Sequence, residues 1–251
     1  MIEGQLPGSA TQGAVEHLPP PAPAGPSPTH GTSGLDDPRA LQILSTEHWS
    51  LLSARSLVYN ESFARAGMFL TFLSASLVAL AFVASAMALD RTFLLLASML
   101  LAIDLIIGLA TFGRMLETSM DDLRAIAGMN RIRNAYVQIA PAIGPYLISG
   151  IYDDSAGVMK TYGEPEVRGG VAAFIHGLTT AGGMIAVIDA ILAAALAGVI
   201  AVVAGVSLGV ALVAAVVAFV ALFAGVNRYA LNAIVSFEQN LESRFPTPSG
   251  E

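Results

Sequence analysis

Hydrophobic and polar positions divide the chain into blocks of different rhythm. From Ala66 to Leu89, and again from Thr92 to Phe112, apolar residues run almost unbroken; the first block carries no charge and the second carries only Asp104. The longest apolar tract, Val171 to Val226, is 56 residues in which Asp189 is the only acid and His176 the only other titratable side chain. As one helix it would be roughly 84 Å long at 1.5 Å per residue, far beyond a hydrocarbon core of about 30 Å. It must fold back on itself. Gly205, Ser207 and Gly209 interrupt the run, which predicts helices over 181–204 and 208–227. Asp90-Arg91 is the corresponding short turn between helices over 66–89 and 92–112. The pattern therefore predicts an all-α membrane protein with four transmembrane helices arranged as two antiparallel hairpins, 66–112 and 171–228.

Between these blocks the rhythm becomes amphipathic. In 39–65, Leu41, Leu44, Leu52, Tyr59 and Phe63 recur at helical spacing, while Glu47, Ser53, Asn60 and Glu61 lie elsewhere on the wheel. Asp36 or Asp37 is a candidate cap, with Pro38 near the first turn. Trp49, the only tryptophan, is expected in the headgroup zone, and Glu61 with Arg65 has the favourable i,i+4 order for an ion pair. In 113–170, Leu116, Leu123, Ile126 and Ile132 alternate with Glu117, Asp121, Asp122, Arg124, Arg131 and Arg133, which predicts an amphipathic cytoplasmic helix to Ala140. Pro141 and Pro145 end it. A loop with Asp153-Asp154 and Glu164-Pro165-Glu166 follows, in which Asp153-Asp154 reads as a solvated turn, since the alternating ligands of a calcium loop are missing. Residues 229–251 form a cytoplasmic segment, helical at first and frayed from Pro246 to Glu251. Residues 1–38 are rich in Pro and Gly and are expected to be a disordered tail; Pro19-Pro20-Pro21-Ala22-Pro23 lacks the basic flanks of a PxxP ligand.

Composition strengthens the membrane reading. Hydrophobic residues make up 55% and charged residues only 12%, against about 25% charged in soluble domains. The net charge of −7 does not point to a basic partner, because Glu3, Glu16, Asp36 and Asp37 of the tail supply much of it. Arginines are scattered beside the membrane blocks rather than clustered, so nucleic acid is not an expected partner. No signal-peptide pattern opens the chain, and the first membrane helix is expected to direct insertion. Of the 12 Lys and Arg residues only Arg91 sits at a hairpin tip; four crossings put all the others on one side. The positive-inside rule makes that side cytoplasmic, with both termini inside the plasma (inner) membrane.

Enzymatic motifs are missing. With no cysteine there is neither a disulfide nor a cysteine nucleophile, and no Gly-rich phosphate loop with Lys, HExxH or GxSxG occurs. His48 beside Glu47 has no second histidine nearby to complete a metal site, and no cofactor is implied. What remains is the pair of intramembrane acids. Asp104 and Asp189 lie roughly 20 and 24 Å below their outer turns, at similar depth. Asp189 shares a face with Ala186, Ala190, Ala193 and Ala197, and Ala214, Ala218, Ala221 and Gly225 repeat that rhythm on the next helix as a packing face. On the first membrane helix, Gly67, Thr71, Ser74, Val78, Ala81 and Ser85 make a further small-residue stripe where a second helix is expected to pack. An ionised carboxylate facing lipid costs at least about 2.5 kcal/mol, so both acids should point at other helices. They either pass a proton or cation between leaflets or hold the bundle together through Thr71, Ser74 or Ser76. An aspartyl-protease dyad is disfavoured, because neither acid has the Gly and Tyr neighbours of that class.

The run from Glu47-His48-Trp49-Ser50-Leu51 through Tyr59-Asn60-Glu61 to Ala64-Arg65-Ala66-Gly67-Met68-Phe69 resembles a group of uncharacterised bacterial integral membrane proteins common in actinobacteria. Asp121-Asp122-Leu123-Arg124 and Met129-Asn130-Arg131-Ile132-Arg133 with Tyr136 carry the same resemblance, which spans residues 40 to 230 and implies an inner-membrane location without an activity. The resulting expectation is a non-enzymatic scaffold or signalling protein. Its partners would be the lipid bilayer, a second copy through the alanine faces, or an unidentified membrane or cytoplasmic protein. The alternative is a small channel or a proton- or cation-coupled transporter built on Asp104 and Asp189.

Overall fold

A computed structural model describes residues 34–87, 90–162 and 177–248. The expected N-terminal tail up to residue 33, Glu164-Pro165-Glu166, His176 and the last three residues lie outside that description. Among the described residues the regular structure is all helical, with no strand. Helix α1 spans Ala40–Met87, α2 Arg91–Ile139, α3 Ser155–Thr161, α4 Ala181–Val203 and α5 Leu208–Asn240, with a 3-10 turn over Pro141–Tyr146. Helices α1, α2, α4 and α5 are each long and apolar enough to cross a membrane, which makes the chain a multi-pass membrane protein.

Local chemistry sets the helix ends. Asp90 caps α2 by accepting the Phe93 amide at 2.8 Å, and Thr180 caps α4 by accepting the Gly183 amide at 3.0 Å. Between α4 and α5 the Gly205 amide donates to the Val202 carbonyl at 3.0 Å and the Val206 amide to the Ala201 carbonyl at 3.3 Å, a Schellman closure. That closure requires a left-handed residue, and Gly205 supplies it with φ of 79°. The turn foreseen between the glycines is thus made by Gly205 alone of the two.

The two longest helices do not divide where the hydropathy does. At 48 and 49 residues, α1 and α2 are each roughly 73 Å long, and each continues from its apolar block into its amphipathic block without a break. Hydropathy changes solvent, not conformation: both blocks are rich in helix formers, and nothing at Arg65-Ala66 or Gly113-Arg114 breaks the hydrogen-bond ladder. One consequence concerns Trp49. It sits 17 residues before Ala66, roughly 25 Å along the helix from the apolar block, and is 66% exposed.

Helices α1 and α2 run antiparallel, as four contacts show. His48 stacks on Tyr136, Arg55 pairs with Asp122, Arg114 lies 3.8 Å from Glu61, and Ser76 donates to Asp104. Helix α4 packs on α2, and α5 packs on α4. Ala66, Phe69, Leu101, Phe112, Met115, Ile185, Ala186, Leu192 and Val226 form the apolar core of this part. A second core, of Met120, Leu123, Ile126, Ala127, Val158 and Phe237, closes the polar end of the bundle.

The contact face of α1 is not the expected stripe. Ala66, Phe69, Ser76 and Leu80 are buried, whereas Gly67, Thr71, Ser74 and Val78 are exposed. Thr71 and Ser74 donate back to the carbonyls of Gly67 and Leu70 at 2.8 and 2.7 Å. Small size allows close approach but does not demand it. The larger Phe69 and the hydroxyl that reaches Asp104 set the rotation of α1.

Candidate functional site

Asp104 and Asp189 are each fully buried. Asp104 projects from α2 toward α1, where Ser76 Oγ donates to its Oδ1 at 3.1 Å; of the hydroxyls considered from sequence, Ser76 is the one that reaches it. Its Oδ2 has no partner among the described residues. Asp189 projects from α4 onto α2 at Gly108. A β-carbon built on Gly108 would overlap Asp189 Oδ1 and lie 2.9 Å from Asp189 Cγ and 3.0 Å from Phe69 Cζ. Neither oxygen of Asp189 has a hydrogen-bond partner among the described residues.

These contacts fix the relation between the two acids. Gly108 is one turn of α2 beyond Asp104, so the Asp189 carboxylate lies about 6 Å further along α2, toward the polar end. Both therefore belong to one cluster around Ser76, Phe69, Asp104, Gly108 and Asp189. Three of its four carboxylate oxygens are unpartnered in a medium where a buried polar group without a hydrogen bond costs several kcal/mol. No group of three or more metal-ligating side chains occurs among the described residues.

The alanine rhythms meet different fates. Ala186 and Ala190 are buried beside Asp189, and Ala193 and Ala197 are half-buried. On α5, Ala214 and Ala218 are half-buried, but Ala221 and Gly225 are exposed. Those two leave the contact face because Leu222 and Val226 carry the packing register instead. A larger apolar side chain buries more area than an alanine, and the helix rotates to use it.

At the polar end, two further carboxylates organise the chain. Asp122 on α2 is buried and accepts from the Nε and Nη2 of Arg55 and the hydroxyl of Tyr59, both on α1, and from the hydroxyl of Tyr162 at the end of α3. Burial, then the Asp122 charge, pushes both phenols above their ordinary range, so they remain donors. His48, whose Nδ1 is buried without a partner, is held below its ordinary value by burial and by Arg133. Its ring stacks on that of Tyr136, with centroids 6.0 Å apart.

Asp153-Asp154 is not a solvated turn. Asp153 is fully buried and accepts from Ser243 Oγ at 2.6 Å, the Phe245 amide at 2.8 Å, the Arg244 amide and Arg131. Burial pushes its carboxyl up, but those donors outweigh it and hold it at about 2. Asp154 caps α3 through the Gly157 amide and also accepts from the amide and hydroxyl of Thr247, each at 2.8 Å. The expected fraying from Pro246 onward therefore does not begin before Thr247. The signal in sequence was an adjacent acid pair just before a helix start, but its donors lie about 90 residues away.

Along the outer flank of α1, Leu41, Trp49, Leu52 and Phe63 form an exposed apolar strip in the block that precedes the membrane segment. Leu41, Leu52 and Phe63 belong to the apolar face recognised in the sequence, whose Leu44 and Tyr59 are half-buried, and Trp49 joins them. No protein-family model, curated protein or solved structure matches the chain.

Proposed function

We propose that the protein is a non-enzymatic interaction or signalling protein of the bacterial inner membrane, with two transmembrane hairpins, both termini cytoplasmic, and a second copy of the chain as its partner. The observation that carries this reading is the strip of Leu41, Trp49, Leu52 and Phe63, which lies on a helix continuous with a transmembrane segment. It extends over roughly 33 Å outside the apolar block, and an exposed apolar face of that length in water marks a contact surface. The strip itself carries no charge, so two copies related by a two-fold axis can meet face to face without repulsion. Because α1 and α2 are unbroken, a contact made there is mechanically joined to the membrane core. Trp49→Cys in this cysteine-free chain should give a disulfide-linked dimer in oxidised membranes. A chain that stays monomeric under those conditions refutes the dimer reading.

A second reading is favoured by the three unpartnered carboxylate oxygens of Asp104 and Asp189: a proton or cation path through the bundle. In vesicles, Asp104→Asn and Asp189→Asn together should abolish flux. Flux that is unchanged, or already absent in the parent, removes this reading.

A further inference from the structure

We propose that Asp104 and Asp189 exchange protons with one side only, the polar and cytoplasmic end, through a seam of buried hydroxyls between α1 and α2; this rests on the second reading above. The seam follows one register. Positions 104, 108, 111, 115, 118 and 122 of α2 succeed one another at alternating steps of four and three, the spacing that keeps one helix face against a neighbour. Along it lie Asp104, Gly108 with the Asp189 carboxylate on it, Thr111, Thr118 and Asp122, with the apolar Met115 between the two threonines. Opposite them α1 places Ser76 and Ser62. All six of these side chains on α1 and α2 are more than nine-tenths buried, and the Oγ of Ser62 has no hydrogen-bond partner.

Toward the polar end the buried hydroxyls alternate with Phe69, Ala66, Phe112 and Met115 of the apolar core; in the other direction no buried polar side chain follows. Beyond Ser76 and Asp104, the buried residues of α1 and α2 are Leu80, Leu101 and Ala97, none of which can bind or relay a proton. The acids therefore stand at the closed end of a polar file whose open end is the Asp122 cluster. Rungs of the file are roughly 5 to 10 Å apart along α2, so transfer between them requires transient water, for which the hydroxyls supply partners. Thr111 and Thr118 donate to the carbonyls of Ile107 and Arg114, which leaves their hydroxyl lone pairs free to accept.

The charged and titratable groups facing the file are few. On α1 they are Arg55, Tyr59 and Glu61; on α2 Asp104, Arg114 and Asp122; on α3 Tyr162; on α4 Asp189; and the apolar part of α5 contributes none. Arg55 and the two phenols are spent on Asp122, and Arg114 pairs with Glu117 at 3.2 Å. No cation among these reaches Asp189, whose two oxygens are both without a hydrogen-bond partner among the described residues.

The test uses the full chain, reconstituted in a single orientation in lipid vesicles. The infrared carbonyl bands of Asp104 and Asp189, assigned from the two Asp→Asn variants, are followed after deuterated buffer is introduced on one side. Exchange should be fast from the polar end and slow from the outer end. Ser62→Ala, Thr111→Val and Thr118→Val combined should slow the polar-end exchange by roughly tenfold, equivalent to about 1.4 kcal/mol on its barrier. Ser62→Thr with Thr111→Ser and Thr118→Ser keeps the hydroxyls and should restore it, which separates the seam from a packing defect. Equal exchange from both sides, or an unchanged rate in the hydroxyl-free chain, overturns the proposal. Proton flux that persists with exchange independent of the seam overturns the seam while leaving the path. One-sided, seam-dependent exchange without net flux upholds the seam and overturns transport.

Discussion

The carboxylate of Asp189 occupies the space that a β-carbon on Gly108 would fill. This contact, within the packed interface of α4 and α2, holds a carboxyl without hydrogen-bond partners against bare backbone. Gly108→Ala should force α4 outward or the Asp189 side chain off its rotamer, at a cost of about 1–3 kcal/mol. The loss should appear as a lower midpoint of thermal unfolding in detergent. Pairing it with Asp189→Ala, which vacates the space, should recover part of the loss; equal midpoints for the single and double variants would show that the contact carries no strain.

Asp122 gathers Arg55, Tyr59 and Tyr162 at the polar end. Asp122→Asn should weaken this junction by about 2 kcal/mol, less than for a fully buried pair because Arg55 retains some exposure. The sensitive measurement is hydrogen exchange in α3, which should lose protection before α1 and α2 do.

The C-terminal clamp has a definite pH dependence. Asp153 is held at about 2, below its ordinary 3.8, so its carboxylate stabilises the clamp above pH 3.8 and that contribution is lost as pH falls through about 2. The amides of Arg244 and Phe245, which donate to Asp153, should be protected at neutral pH and exposed near pH 2. In Asp153→Asn that protection should be reduced at every pH, and proteolysis after Arg244 should accelerate.

Topology has a direct assay in a chain without cysteine. Ser207→Cys, in the α4–α5 connection, should be labelled by a membrane-impermeant thiol reagent from outside the cell, and Thr247→Cys only after the membrane is opened. The reverse pattern would invert the orientation and, with it, the side to which the hydroxyl seam opens.

The apolar blocks, the short turn at Asp90 and the glycine turn at Gly205 could be read from the chain itself, because lipid leaves a helix no alternative and a left-handed turn leaves few residues to choose from. Burial of Asp104 and Asp189 was also legible, since an unpaired charge cannot face hydrocarbon. Which neighbours they meet was not. Ser76, Thr71 and Ser74 are equivalent by composition, and only the rotation of α1 set by Phe69 selects Ser76. The misjudged Asp153-Asp154 pair has the same cause: its donors at Ser243, Phe245 and Thr247 are distant in sequence, and nothing local announces them.

By itself, then, the amino-acid order determined the solvent of each segment and the number of long apolar helices, because those depend on sums over roughly twenty residues. The tertiary structure alone decided the choice of Ser76 as the partner of Asp104, the one-turn offset between Asp104 and Asp189, and the anchoring of the C-terminal segment. Each of these depends on a few side chains meeting in space, where a rotation of one helix by a single position exchanges a buried partner for an exposed one.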